Sequence, residues 1–159
     1  MKTIFAPWRM KFVSGKKEKG CVFCNRLRSK NDQKHRILYR GKNSFIILNI
    51  YPYSNGHMMV VPNTHESRIE KLPTATLCEM MELVKMAVRS LDKAYKPQGY
   101  NIGLNLGKSA GAGIARHLHI HIVPRWDGDT GFTCITSDLK IIPESLDNTY
   151  RSLKKHIKK

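Results

Sequence analysis

The sequence predicts an α+β fold: one antiparallel sheet of about five strands with a single long helix packed on it. Two observations carry this. Short apolar runs bounded by turn residues recur along the chain, and only one segment, residues 77–91, sustains a 3.6-residue apolar period. With 159 residues and 41% hydrophobic content, the chain is read as one domain, 1–159, with enough length for a real core.

"HRILYR" and "FIILNI" are the first two strands, separated by the turn signal "GKNS". "YPYSNG" is a turn-rich bridge to the third strand, "HMMVVP", which Pro62 ends. The helix follows, capped by Thr74 or by Thr76, the latter forming a capping box with Glu79. Its stripe is Leu77, Met80, Met81, Val84, Ala87, Val88 and Leu91, and it stops before Pro97. "YNIGLNL" and "HLHIHIV" are strands four and five, "FTCIT" is a short further strand, and "PESLDNTYRSLKKHIKK" is a short basic helix. The sequence holds no internal repeat and no low-complexity tract.

The net charge of +16 is not spread evenly. Residues 1–42 carry 13 Lys/Arg against 2 acids, residues 150–159 carry 5 against none, and the middle has 10 of each. The basic ends suit nonspecific nucleic-acid contact, a polyanionic substrate, or simple solvation. No apolar run reaches the roughly 18 residues of a membrane span. "MKTIFAPWRM" is broken by Pro7 and Arg9 and does not read as a signal peptide, so the expected location is the cytoplasm. The four cysteines do not suggest a secreted disulfide framework.

Chemistry concentrates in "HLHIHIVPRW". On a strand, His117, His119 and His121 share one face. Three imidazoles there supply nucleophile, acid and metal ligand better than they supply solubility. "GKSAGAGIAR", residues 107–116, is not a P-loop, because no strand–loop–helix frame surrounds it. Its small residues allow close backbone approach to a phosphate, and they equally suit a flexible hairpin. "CVFC" pairs Cys21 with Cys24, and His65 and His117 complete a Cys2His2 set for zinc. The competing reading is a pair of small buried thiols. His35, His57 and His156 have no comparable partners and read as structural or surface residues.

"HLHIHIV", together with "LNIYPYSNGHMMVVPNTH" and the small-residue loop before the histidines, resembles the histidine triad (HIT) family. "APWRMKFV" and "VPRWDGDTGF" are similar to its bacterial subgroup related to diadenosine tetraphosphate phosphorylases. The resemblance implies nucleotidyl transfer in which His119 attacks the α-phosphorus and His121 contacts the phosphate and assists the leaving oxygen. It also implies that Asn49 binds ribose, and that Asn105 with Gly111, Ala112, Gly113 and Ile114 contacts phosphate. In zinc-bearing relatives the metal ligands match Cys21, Cys24, His65 and His117, and homodimers with joined sheets are common. Family hydrolases carry glutamines where this chain has Asn105 and, allowing one inserted residue, Ala112–Gly113. Loss of those glutamines opens the pocket to inorganic phosphate, with Lys108 and Ser109 nearby to hold it. The expected reaction is phosphorolysis of diadenosine tetraphosphate to ATP and ADP. The rival enzyme is an AMP-releasing hydrolase of dinucleoside polyphosphates or nucleoside phosphoramidates. The rival from another class is a zinc-stabilised nucleotide- or nucleic-acid-binding module, which the basic ends support but an intact triad does not require.

Overall fold

A computed structural model describes residues 19–129, 131, 134, 136 and 140–158. Two short helices, α1 (Val22–Arg28) and α2 (Asp32–His35), precede strands β1 (Ile37–Arg40), β2 (Ser44–Leu48) and β3 (Met58–Pro62). The long helix α3 (Thr74–Tyr95) leads to β4 (Gly99–Leu104) and β5 (Ile120–Arg125), and α4 (Leu146–His156) closes the chain. The five strands form one sheet in the order β1-β2-β3-β5-β4, with every neighbouring pair antiparallel.

Period-two alternation divides the sheet between two cores. Leu38, Ile46, Leu48, Met58, Val60, Ile120 and Ile122 face α3 and α4. Ile37, Phe45, Ile47, Met59 and Val61 face the other way, against Phe23 of α1. Each fully buried aliphatic of this kind contributes about 1.5–3 kcal/mol of transfer free energy. The face under α1 is the one that carries the histidines.

Several expectations are corrected. Neither Thr74 nor Thr76 caps α3: its N-cap is Pro73, with no side-chain hydrogen bond. Glu79 instead accepts the backbone N–H of Asn43 at 2.9 and 3.1 Å, tying the helix to the β1–β2 turn. Met81 is 54% exposed, because the buried face turns through Met80, Leu83, Val84, Ala87 and Leu91. α1 and α2 have no counterpart among the expected elements, and α2 takes His35 out of the first strand. The last turn of α3 ends at Lys96, whose φ of 47° is left-handed, just before Pro97. The expected strand at "FTCIT" falls on Phe132, Thr133 and Ile135, which lie outside the described residues, while Cys134 and Thr136 are helical.

The sheet has two different edges. Along β1, the carbonyls of Ile37 and Leu38 accept from Tyr150 Oη and Lys154 Nζ of α4. β4 lies at the other edge, with Ile102 45% exposed.

Candidate functional site

The CxxC pair sits at the start of a helix. Cys21 is the N-cap of α1 and Cys24 lies in its first turn, so residues three apart share one side. The chain after β3 brings His65, and the chain entering β5 brings His117. Cys21 Sγ and His117 Nδ1 are 3.3 Å apart, Cys24 Sγ and His117 Nδ1 3.7 Å, and Cys24 Sγ and His65 Nδ1 3.3 Å. All four donor atoms lie within 4.8 Å of one another. A tetrahedral zinc with bonds of about 2.0–2.3 Å needs donors about 3.3–3.8 Å apart; the three short separations match this, and the remaining pairs lie within 4.8 Å. The tautomer fits as well. His117 Nε2 lies 2.9 Å from the Pro62 carbonyl, which can only accept, so Nε2 carries the proton and Nδ1 keeps a lone pair toward the sulfurs. This group can hold a metal ion.

His117 and His119 are not in the fifth strand, as expected from "HLHIHIV". Ladder pairing begins at Ile120, and His117 sits at a bend where Leu118 N–H donates to the Glu66 carbonyl. The bend lets the His117 ring reach the cysteines. The three rings nevertheless stay on one side. Phe23 packs edge-on against His117 and tilted against His119, at 5.4 and 5.3 Å between centroids, and His119 and His121 are 4.7 Å apart.

His119 is 4% exposed, and its Nδ1 lies 2.9 Å from the His117 carbonyl. Nδ1 must therefore donate, which leaves the Nε2 lone pair as the nucleophilic atom. Burial holds its pKa below the ordinary 6.5, so the ring is neutral near pH 7 although the His117 carbonyl pulls the other way. A neutral, oriented imidazole can attack phosphorus and later leave from it.

His57, which reads from the sequence as structural or surface, joins this cluster. It is 1% exposed, and its Nε2 lies 2.9 Å from His121 Nδ1. The backbone N–H of Tyr53 donates to its Nδ1 at 3.1 Å, and Asn49 Nδ2 lies 3.3 Å from the same atom. An N–H can only donate, so Nδ1 of His57 accepts and Nε2 bears the proton given to His121. His121 is thereby fixed with its own proton on Nε2. Burial first, then the neighbouring imidazoles, push His57 down to about 3; burial and His119 push His121 down to about 4. Both rings are neutral at pH 7, as the relay of single protons requires. The only hint in the sequence was parity. His57 precedes Met58 by one, and Met59 pairs with His121, so the two histidines share a face once the register is known.

Asn49 follows β2 and also accepts Tyr51 N–H at 2.9 Å. Asn105 follows β4, its amide 3.9 Å from the point a Cβ on Gly111 would occupy. Residues 107–111 form a tight turn closed by Gly111 N–H to the Lys108 carbonyl at 2.9 Å, with Gly107 and Gly111 at left-handed φ of 84° and 83°. Ile114 packs against the Phe23 core and accepts His117 N–H through its carbonyl, which links this loop to the triad. His35 and His156 end α2 and α4, apart from this cluster.

The HIT domain model matches residues 30–128. The AP-4-A phosphorylase of Mycobacterium tuberculosis is 43% identical over 123 residues, 77% of this chain and 63% of that protein. The match thus spans less than two thirds of that relative's length. An uncharacterized HIT-like protein of Methanocaldococcus jannaschii is 36% identical over 69% of this chain and 81% of its own length. Among solved structures, a Zn-bound histidine triad family protein from Mycobacterium smegmatis superposes with a TM-score of 0.70 at 28% identity, covering 87% of this chain and 93% of the other. The four-histidine site thus lies on a shared fold, and the chain belongs to the HIT domain family.

Proposed function

We propose that this chain is a nucleotidyltransferase that splits diadenosine tetraphosphate with inorganic phosphate into ATP and ADP. The supporting observation is the pair of opposed tautomers: a lone pair on His119 Nε2 and, from a ring 4.7 Å away, a proton on His121 Nε2. Nucleophile and hydrogen-bond donor are both prepared before substrate arrives. His119 Nε2 bonds to the α-phosphorus as the bond from phosphorus to the bridging oxygen breaks. ATP leaves, with His121 Nε2–H hydrogen-bonded to its departing oxygen. A phosphate oxygen then attacks the same phosphorus, the N–P bond breaks, and ADP and neutral His119 result, with one proton released to solvent. Asn49 and Asn105, with the backbone of Gly111, Ala112, Gly113 and Ile114, hold ribose and phosphates, and Lys108 and Ser109, in the same loop, are candidates for the incoming anion.

The identity of the M. tuberculosis relative favours phosphate as acceptor, as does the absence of glutamine at Asn105 and Gly113. In this reading the metal is structural zinc on Cys21, Cys24, His65 and His117. Bound there, zinc would anchor His117, whose carbonyl orients His119. Reduced thiols suit the cytoplasm as the place of action. The chain is read as one domain that works as a homodimer through β4, whose outer edge and exposed Ile102 leave ladder groups to pair with a second copy. Incubation with diadenosine tetraphosphate, with and without phosphate, tests the reaction. Phosphate-dependent ATP plus ADP on chromatography is expected; AMP release independent of phosphate would make the enzyme a hydrolase.

A further inference from the structure

Behind the triad lies a second polar cluster that the proposed reaction does not use. Glu144, half-buried just before α4, gathers three donors on one oxygen, Oε2. Tyr95 Oη of α3 donates at 2.6 Å, Thr149 Oγ1 of α4 at 2.7 Å and Asn55 Nδ2 at 3.2 Å. Asn55 belongs to the turn that delivers His57, two residues away. The same turn is pressed on α3: Gly56 has a left-handed φ of 77°, and a Cβ there would meet Leu91 Cδ2 at 2.7 Å. Ser145, the N-cap of α4, accepts from Asn148 N–H and sets where Glu144 leaves the helix. Asn49, Asn55, His57, Ile142, Glu144 and Thr149 surround a single small void, so the segment before α4 lies directly behind Asn49 and His57.

The turn's backbone is the main hold on the His57 proton pattern, with Asn49 Nδ2 at 3.3 Å from the same nitrogen as a second. Tyr53 N–H gives Nδ1 of His57 its main donor, and His57 N–H donates to the Ser54 carbonyl. If the turn shifts, Nδ1 loses the Tyr53 donor and keeps only the longer approach of Asn49 Nδ2 at 3.3 Å, so the proton of His57 moves to it more readily. His121 would then no longer be fixed with its proton on Nε2.

We propose that Glu144 is a positioning residue for the active site: by tying the Asn55 turn to α3 and α4, it fixes the tautomers of His57 and His121. This rests on His121 acting as hydrogen-bond donor in the proposed reaction, but its first readout does not. The cluster suits an ionised carboxylate. Burial opposes ionisation, yet the bonds from Tyr95, Thr149 and Asn55 more than offset it and hold Glu144 below its ordinary pKa. Tyr95 is pushed up to about 12 by burial and by Glu144, so it remains a donor.

The test uses the full chain labelled with 15N-histidine, with wild type compared against Asn55→Ala, Glu144→Ala and the double variant. Ring-nitrogen shifts read each tautomer, and the His121 signals are those lost in His121→Gln. Wild type is expected to show His121 protonated on Nε2 alone. Both single variants should show a mixture of tautomers, with kcat for diadenosine tetraphosphate lowered about tenfold and nucleotide Kd within about threefold. Both act mainly through the Asn55–Glu144 link, and Asn55→Ala also removes the lesser tie of Thr149 Oγ1 to Asn55 Oδ1 at 3.4 Å, so the double variant should lose no more than Asn55→Ala alone. Should Glu144→Ala fail to fold, Asn55→Ala carries the test, since it cuts the turn side and leaves the α3–α4 bonds in place. A lowered Tm with the wild-type His121 tautomer and wild-type kcat would overturn the proposal and leave Glu144 merely structural. A tautomer change in a protein without phosphorolysis would keep this inference and refute the reaction.

Discussion

Replacing His57 with Phe isolates what this buried ring does. The two side chains have similar volume, so little cavity is created and the cost is polar. In the variant, the backbone N–H of Tyr53 loses the acceptor 3.1 Å away, in a position that is 1% exposed at His57 itself. A buried donor left unpaired costs about 1–3 kcal/mol. Asn49 Nδ2, 3.3 Å from the same nitrogen, is able to turn toward substrate or solvent and adds less. For a chain of this length that is a fall in Tm of about 2–12 °C. The catalytic cost is separate. His121 Nδ1 loses its donor at 2.9 Å, so the ring is free to protonate at Nδ1 and present a lone pair where the leaving oxygen needs a proton. Proton transfer from a positioned group is worth about 10²–10⁴-fold, so kcat should drop about 100-fold while nucleotide affinity changes little. Scanning calorimetry and steady-state kinetics with a separate binding titration measure the two parts. A variant with kcat within threefold of wild type would refute the tautomer relay, whatever its Tm.

Protein purified without chelator or affinity tag should contain close to one zinc per chain, and Cys21→Ser should lose it with a Tm lower by about 6–12 °C, from a loss of about 3 kcal/mol; a metal-free wild type of equal stability would contradict this. Acidification should destabilise the fold before the carboxylates titrate. Unfolded histidines bind a proton near 6.5, whereas His57 and His121 do so only at about 3 and about 4. The unfolded state therefore binds more protons between those limits. Stability is full above about pH 6.5 and falls by about 1–2 kcal/mol per ring from pH 7 to pH 5. Thermal melts at the two pH values should show this, with a smaller drop in His57→Phe; equal Tm values would count against it. Gly113 has no atom within 4 Å of where its Cβ would stand, so Gly113→Gln should fold normally. It should slow phosphorolysis about tenfold and raise the AMP share of the product; unchanged phosphate dependence would remove the acceptor-space argument.

Much of this fold is written in local patterns. The strands at Ile37–Arg40, Ser44–Leu48 and Met58–Pro62 carry strong β formers between turn residues, and α3 has one unbroken apolar stripe. The Cys2His2 set was legible because CxxC spacing is a local signal and two histidines, His65 and His117, stand ready to complete it. What escaped depends on register or on tertiary partners. Thr76 and Glu79 satisfy the capping-box spacing, but Asn43 N–H, 36 residues from Glu79, claims the carboxylate. His57 looks idle until the β3–β5 register puts it beside His121, 64 residues on. α1 lacks an apolar stripe long enough to reveal its helix, since it buries only Phe23. His117 leaves the strand because its ring is needed at the cysteines, a requirement that alternation along "HLHIHIV" does not express.

The central claim is a covalent bond between His119 Nε2 and the α-phosphorus of the substrate. Rapid quenching after mixing with α-labelled diadenosine tetraphosphate, in the absence of phosphate, reads it directly. Label should appear on the peptide holding His119, acid-labile and base-stable, and should chase into ADP when phosphate is added. His119→Ala should show no label and no turnover while still binding nucleotide. Label on another residue, or turnover of His119→Ala within tenfold of wild type, would contradict the account.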